Sequence, residues 1–166
     1  MILLRKAKEE DIAIITDLAE QIWPQTYSNY ISNAQLRFML DKMYNKGELL
    51  DQMQNDHIFL IASEEERDVG FAGFSVIDPK KKGYKLHKLY VLPEMHGKGV
   101  GKILINEVIN LALRKGGKTL QLNVNRNNNA KDFYIKAGFN IKETVDLDIG
   151  NGFFMNDYVM ELSIGS

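Results

Sequence analysis

The chain has 166 residues, 45% of them hydrophobic, which is typical of a soluble globular protein with enough sequence for one ordinary domain. Its 21 basic and 22 acidic side chains nearly cancel, so the sequence lacks the basic excess that a nucleic-acid-binding surface requires. The absence of cysteine excludes disulfides, thiolate metal sites and a cysteine nucleophile. No apolar run approaches the roughly 18 residues of a membrane span. We therefore expect a cytoplasmic protein of one domain, residues 1–166, without nucleic-acid, membrane or metal partners.

Hydrophobic periodicity and turn residues predict an alternation of strands and helices. In chain order, the predicted elements are a strand at 2–5, a helix that begins at acidic residues 9–11 and ends at Pro24, a helix at 35–44, a short helix ending near 54, strands at 57–62, 69–77 and 85–92, a helix at 99–115, a strand at 119–124, a helix at 130–136, and strands at 139–146 and 153–162. The acidic run 63–68 reads as a hairpin turn. This order implies an α/β or α+β fold, with a mixed sheet covered by helices.

The segment 91–102 is the most informative part of the chain. A predicted strand runs into a loop with three glycines, and the loop opens directly into the most regular helix. The first turn of a helix carries unpaired N–H groups and a positive dipole end, and glycine lets the backbone approach phosphate oxygens closely. Lys98 and Lys102 could add positive charge. The pattern therefore indicates an anion site, although a glycine-rich turn can also be only a tight connection.

The common nucleotide-binding loops do not match this segment. A G-x-G-x-x-G motif that begins at Gly99 requires glycine where Leu104 stands, and one that begins at Gly97 requires it where Lys102 stands. A P-loop requires Ser or Thr at Ile103. The predicted anion site is therefore neither of these.

Two motifs resemble the GNAT superfamily of N-acetyltransferases. The sequence His-Gly-Lys-Gly-Val-Gly at 96–101 is similar to that family's acetyl-CoA pyrophosphate loop, Gln/Arg-x-x-Gly-x-Gly/Ala. Residues 127–139 resemble its downstream helix, which reads Asn-x-x-Ala, an aromatic residue and Tyr, then Gly-Phe. The motifs occur in family order and the element order matches from end to end. His96 departs from the family's Gln or Arg, and less positive charge is guaranteed on an imidazole at neutral pH.

The resemblance implies a mixed, mostly antiparallel sheet of about seven strands, splayed at the middle and flanked by four to five helices. It implies acetyl-CoA as cofactor, and because dimers are common in the family a homodimer is an open expectation. Main-chain groups of Leu89 and Val91 would pair with the pantetheine arm like an added strand. Asn127 would bind the arm, and Tyr134 would stand near the sulfur. The full set that the resemblance assigns to the cofactor is Leu89, Tyr90, Val91, His96, Gly97, Lys98, Gly99, Val100, Gly101, Lys102, Asn127, Ala130, Phe133 and Tyr134.

Acetyl transfer to an amine needs a base and an acid. A primary ammonium has a pKa of roughly 10.4, so it must lose a proton before its nitrogen attacks, and the departing thiolate benefits from an acid. Tyr134 takes the acid role by its family position, the alternative being simple helix packing. His87 is the candidate base, because the polyamine branch of the family carries a glutamate at that strand position. Glu94, Tyr30, or main-chain carbonyls with water are alternatives, and a strand histidine can also be purely structural.

The acceptor is expected to be the primary amine of a small molecule, acetylated by direct attack in a ternary complex. Residues 22–31 are similar to the corresponding segment of bacterial spermidine/spermine N-acetyltransferases. Trp23, Tyr27 and Tyr30 could contact an organic cation through their ring faces, or could be ordinary core. Two rivals stay open: acetylation of a protein or peptide amine, and a non-catalytic acyl-CoA-binding regulator. Retention of Tyr134 argues against the regulator.

Overall fold

The computed structural model describes residues 1–166 and contains seven β-strands and five α-helices. In chain order they are β1 (Ile2–Lys6), α1 (Ile12–Tyr27), α2 (Asn33–Met43), α3 (Lys46–Gln54), β2 (Ile58–Glu64), β3 (Arg67–Asp78), β4 (Gly83–Val91), α4 (Val100–Arg114), β5 (Thr119–Asn125), α5 (Ala130–Lys136), β6 (Asn140–Gly150) and β7 (Phe153–Ser163). The strands are mostly antiparallel, so the predicted fold class is confirmed. None of the helices is long and apolar enough to cross a membrane. Splaying of the sheet and a single domain over residues 1–166 stay predictions.

The chain divides into two compact units. The first comprises Met1–Ser75 and Leu86–Asn110, and the second comprises Val76–Lys85 and Leu111–Ser166. The pyrophosphate-loop motif and the candidate base therefore belong to the first unit. The second motif, which includes α5, belongs to the second unit.

In the first unit the strands lie in the order β1, β2, β3, β4. The predicted hairpin between β2 and β3 is confirmed, with Leu60 opposite Ala72 and a shift of register after Ala62. Its acidic turn places Glu65 and Glu66 at φ 50° and 67°, in the left-handed region that a two-residue hairpin turn of type I′ requires. The chain makes this reversal without glycine and keeps charged, exposed side chains at its tip.

Helix α1 does not end at Pro24, as the sequence predicted, but continues to Tyr27. Proline lacks the N–H group that would bond the carbonyl one turn earlier, so α1 gives up one hydrogen bond at this position. The amide of Ser28 still donates to the Pro24 carbonyl at 3.1 Å, which keeps the last turn closed. Trp23 and Tyr27 flank the proline and are buried, so core packing of these rings outweighs the lost bond.

In the second unit β7 lies between β5 and β6 and is antiparallel to both. Strand β5 alternates strictly, so Leu120, Leu122 and Val124 are buried on one face. The polar residues between them face the other side of the sheet and are half-buried. Gly116, at φ 82°, ends α4 as predicted, and the next amide bonds back to the Ala112 carbonyl at 2.8 Å.

Candidate active site

The loop before α4 has the backbone of an anion cradle. Gly97 and Gly99 both adopt φ 82°, a conformation that side-chain-bearing residues rarely take. A Cβ atom added at either glycine would meet no atom of the chain within 4 Å, so the space beside both residues is open. Helix α4 begins at Val100, directly after the second glycine, and its first-turn N–H groups have no acceptor within the helix. Open space, alternating left-handed glycines and a helix N-terminus together fit a diphosphate.

His96, the first residue of the loop motif, is anchored to the chain. Its Nε2 lies 3.1 Å from the Val91 carbonyl oxygen, which can only accept, so Nε2 donates this hydrogen bond. The imidazole is exposed, and this contact ties the loop to the end of β4. A ring nitrogen used in this way does not donate to phosphate. His96 thus connects the loop to the end of β4, and the cofactor contacts expected of His96, Lys98 and Lys102 stay predictions.

The end of β4 carries the three residues that the resemblance assigns to the pantetheine arm. Leu89, Tyr90 and Val91 are all half-buried. The Tyr90 side chain is part of an aromatic cluster: its hydroxyl lies 2.8 Å from the Tyr27 hydroxyl and its ring centroid 5.5 Å from that of Trp23. The Tyr90 side chain is thus engaged in this cluster, and the main-chain role that the resemblance implies for Leu89 and Val91 stays a prediction.

The predicted aromatic set is brought together by α1 and the turn after it. The ring centroids of Trp23 and Tyr27 are 4.8 Å apart, and those of Tyr27 and Tyr30 are 5.6 Å apart. Trp23 is only 2% exposed and Tyr27 8%, and burial raises the pKa of Tyr27 well above its ordinary value. Most of both rings is therefore covered by protein. Tyr30, which is half-buried, is the member with more of its surface accessible.

His87, the candidate base, lies in β4 between two partners of the same unit. Its Nε2 is 2.7 Å from the hydroxyl of Ser75, a buried residue on β3. Its ring stacks on that of His57, with centroids 4.6 Å apart and planes 18° apart. Burial and the nearby positive charge of Lys88 lower the pKa of His57, which favours its neutral form beside His87. The structure thus fixes the orientation of the His87 ring by a hydrogen bond and a stack.

Lys88 was not singled out by the sequence reasoning. It is only 9% exposed, donates to the Gln52 side-chain carbonyl at 2.9 Å, and has its ammonium 5.4 Å from the ring centroid of Phe59 and 5.6 Å from that of Tyr44. Burial lowers its pKa to about 8. The strand alternation contained a signal, because Lys88 is two residues from the buried Leu86 and so falls on the core-facing parity.

Glu94, a weaker alternative for the base, lies in the short 3-10 turn Pro93–Met95. Its carboxylate accepts a hydrogen bond from the Arg67 guanidinium at 2.8 Å, and this contact lowers the pKa of Glu94. Both side chains are more than half exposed. A carboxylate that is exposed and holds its charge so readily is a poor proton acceptor at neutral pH.

In the second unit, side chains of the asparagine-rich segment shape the turn before α5. The Asn125 side-chain oxygen accepts from the Asn127 amide, and the Asn128 side-chain oxygen accepts from the Ala130 amide, both at 2.9 Å. These are Asx turns, which bring the chain from β5 into the helix. Asn127 itself is exposed, so its side chain is accessible for the contact that the resemblance implies.

Tyr134, the candidate acid, lies in the middle of α5 and is 8% exposed. Its ring meets Phe133 and Phe139 edge-on, at centroid distances of 5.3 and 5.7 Å. Gly138 ends the helix at φ 103°, and the Phe139 amide then donates to the Tyr134 carbonyl at 3.0 Å. The Gly-Phe pair of the motif therefore has a structural purpose: it closes the helix and buries an aromatic ring against the tyrosine.

Comparison with known proteins places these features in a family. A sequence profile of the acetyltransferase (GNAT) family matches residues 15–139. The spermidine N(1)-acetyltransferase of Thermoplasma acidophilum is 30% identical over 147 residues, which cover 85% of this chain and 89% of that protein. The structure of PaiA N-acetyltransferase from the same organism, in complex with coenzyme A, is 28% identical, covers 98% of this chain and 99% of that chain, and gives a TM-score of 0.82. YncA of Salmonella typhimurium, solved with acetyl-CoA, is 20% identical over 100% of this chain and 95% of that one, at a TM-score of 0.73, and shows the fold alone.

The chain belongs to the GNAT acetyltransferase family, and the resemblance on which the expectations rest is confirmed. Its class of enzyme is N-acetyltransferase. The roles of individual residues and the identity of the acceptor stay predictions.

Proposed function

We propose that this chain transfers an acetyl group from acetyl-CoA to the primary amine of a small molecule. The observation that carries the proposal is the loop Gly97–Lys102. Two glycines in the left-handed region, open space where their Cβ atoms would be, and the N-terminus of α4 fit a diphosphate. Apart from His96, the loop sequence matches the family's pattern. Family membership identifies the class of reaction, and the loop geometry fits the diphosphate of the family's cofactor, acetyl-CoA.

Each part of the cofactor has candidate residues in the chain. Main-chain N–H groups of residues 97–102 would hold the diphosphate, with Lys98 and Lys102 adding charge. Main-chain groups of Leu89 and Val91 would pair with the pantetheine arm, and Asn127 would bind it from its exposed position after β5. When bound, acetyl-CoA supplies the acetyl thioester. A main-chain N–H group of β4 would donate to the carbonyl oxygen as negative charge develops on it.

The proton transfers are assigned to two side chains. His87 accepts the proton that the ammonium must lose before a C–N bond can form, and Tyr134 donates a proton to the sulfur as the C–S bond breaks. Ser75 supports the first role: when its hydroxyl accepts from Nε2 of His87, the ring adopts the tautomer in which Nδ1 is the basic nitrogen. His57 stacks on the same ring and restricts its rotation. Tyr134 is supported by its motif position and by the buried aromatic contacts that hold its ring.

A polyamine is the acceptor that the observations favour. A relative of this chain over 85% of its length is a spermidine N(1)-acetyltransferase, and residues 22–31 resemble that branch. Tyr30 presents the more accessible ring of the aromatic set, and ring faces attract organic cations. A peptide amine is the rival acceptor, and a bacterial ribosomal-protein alanine N-acetyltransferase is 35% identical over a shorter stretch, 41% of this chain. A cytoplasmic location, a homodimer and a single domain remain predictions from the sequence.

The test is CoA release measured with spermidine, with a short peptide carrying a free N-terminus, and with no acceptor. We expect acetyl-CoA turnover with spermidine well above the other two reactions. Turnover with the peptide but not with spermidine would show that the acceptor is a peptide amine and would leave the class of enzyme unchanged. Tight acetyl-CoA binding without turnover on a broad panel of amines would contradict the proposal and favour a regulator.

A further inference from the structure

Two segments of the second unit bring a set of basic side chains together. The set belongs to the turn between β3 and β4, to the end of α4 and to the loop after it, and all its members are exposed: Lys80, Lys81, Lys82, Arg114, Lys115 and Lys118. We call these residues the basic cluster. The segments 76–85 and 111–120 contain a single acid, Asp78. The prediction of no nucleic-acid partner rested on the charge balance of the whole chain, which hides this local excess.

Contacts of the main chain hold the two segments side by side. The Lys118 amide donates to the Lys82 carbonyl at 2.9 Å. The Lys82 ammonium nitrogen lies 4.0 Å from the point where a Cβ atom would stand on Gly116, so this side chain reaches the loop after α4. The Asp78 carboxylate accepts from the Lys81 amide at 3.0 Å, so the one acid closes the turn. The fold thus adds the basic residues of one segment to those of the other.

No acidic side chain neutralises the basic cluster. None of its members forms an ion pair, whereas Arg126 and Lys142 of the same unit pair with Asp146 and Glu161. Like charges that are held close together repel one another and destabilise the folded state. An anionic partner would offset this repulsion. The basic cluster is therefore complementary in charge to a polyanion.

We propose that the basic cluster binds the phosphate backbone of a double-stranded nucleic acid, whatever its base sequence. Most of the cluster is lysine, whose ammonium group acts as a point charge toward phosphate. A duplex carries about one negative charge per 1.7 Å of its axis, whereas an extended acidic peptide carries at most about one per 3.3 Å. The inference does not depend on the proposed function.

A single strand fits this surface less well than a duplex. Proteins that bind unpaired bases stack them on exposed aromatic rings. Tyr84 is the one aromatic residue of the two segments, and it is only 9% exposed. A Cβ atom on Gly117 would lie 2.9 Å from its ring, so the ring packs on the main chain of the loop after α4. The cluster thus offers contacts to phosphate but no platform for bases.

An anionic membrane is the rival partner, because the two segments also expose apolar side chains. Val76, Ile77 and Leu113 are 37%, 45% and 40% exposed. A surface that binds lipid needs its apolar side chains on the same side as its cations. Val76 and Ile77 are consecutive in β3 and so project from opposite faces of the sheet. At most two apolar residues can accompany the basic cluster, which favours a nucleic acid over a membrane.

The experiment measures the binding of labelled RNA and DNA duplexes of unrelated sequence while the salt concentration rises from about 50 to about 200 mM. Each phosphate contact contributes about −0.9 to the slope of log K against log salt concentration, so six contacts predict a slope of about −5. The double variant Lys81→Gln/Lys118→Gln removes one cation from each segment. It should make the slope shallower by about 2 and weaken binding about 200-fold at about 50 mM salt.

The matched control is the double variant Lys6→Gln/Lys46→Gln, which removes the same charge from exposed positions of the first unit and should bind like wild type. Equal affinity of the two double variants overturns the inference, and so does wild-type protein that binds neither duplex at about 50 mM salt. Binding to anionic phospholipid vesicles without binding to either duplex would assign the cluster to a membrane and overturn it as well. Thermal unfolding checks the fold, and Lys80→Gln/Lys115→Gln gives a second reading. The assay contains neither acetyl-CoA nor amine, so the proposed function fails or holds separately.

Discussion

Replacing Lys88 by methionine should stabilise the protein at neutral pH. The fall of the Lys88 pKa from 10.5 to about 8 means that holding the charged form in its buried position costs about 3 kcal/mol, since each pKa unit corresponds to about 1.4 kcal/mol. Loss of the hydrogen bond to Gln52 offsets about 1 kcal/mol of the gain. Methionine keeps the contacts with Tyr44 and Phe59, because thioethers pack well on aromatic rings. The expected net gain is about 2 kcal/mol, or about 4–8 °C in Tm for a chain of this length.

The pH dependence identifies the cause. The pKa of Lys88 is lower in the folded than in the unfolded protein, so between pH 8 and 10.5 the unfolded state binds more protons and wild-type stability rises with pH. The advantage of Lys88→Met should therefore be full below pH 8 and shrink as the pH rises toward 10.5. Urea unfolding at pH 7, 8, 9 and 10 measures it. Lys6→Met, at an exposed position of β1, is the control and should show no such trend. A Lys88→Met variant that is less stable than wild type at pH 7 would refute the cost assigned to the buried ammonium.

Two further predictions concern the reaction. Tyr134→Phe keeps the ring contacts with Phe133 and Phe139 but removes the hydroxyl, so kcat should fall about a hundredfold while CoA affinity, measured by titration, stays the same; an unchanged kcat removes this tyrosine from the mechanism. His87→Gln can still reach Ser75 but cannot accept a proton, so a comparable fall in kcat is expected in steady-state assays with saturating amine. Retention of wild-type kcat there would shift the base to water or the main chain.

Much of the fold could be predicted because the relevant signals are local. Apolar runs between turn residues identified the strands, glycines marked the ends of α4 and α5, and the acidic turn joined β2 to β3. The prediction placed the end of helix α1 too early, at Pro24. The sequence alone does not show that Trp23 and Tyr27 bury enough ring surface beside this proline to outweigh one lost hydrogen bond. Local penalties are visible in a sequence, whereas the packing that offsets them depends on residues far along the chain.

The candidate site also has parts that could be predicted from the sequence and parts that could not. The pyrophosphate loop could be predicted because its glycines lie at alternate positions of one short segment, where a helix begins. The groups that orient His87 come from two other segments, and no local pattern connects Ser75 or His57 with it.

Titration of CoA into wild-type protein, Gly99→Asp and Gly152→Asp is the most direct measurement. Gly99 and Gly152 have nearly the same backbone, φ 82° and 78°, and open space around the Cβ position, so both substitutions strain a left-handed residue and add one negative charge. Only Gly99 lies in the loop before α4. Wild type and Gly152→Asp should bind CoA equally, and Gly99→Asp should bind it about thirtyfold more weakly or not at all. Wild-type protein that gives no heat with CoA, or a Gly99→Asp variant with wild-type affinity, would show that the amides of this loop do not hold the diphosphate.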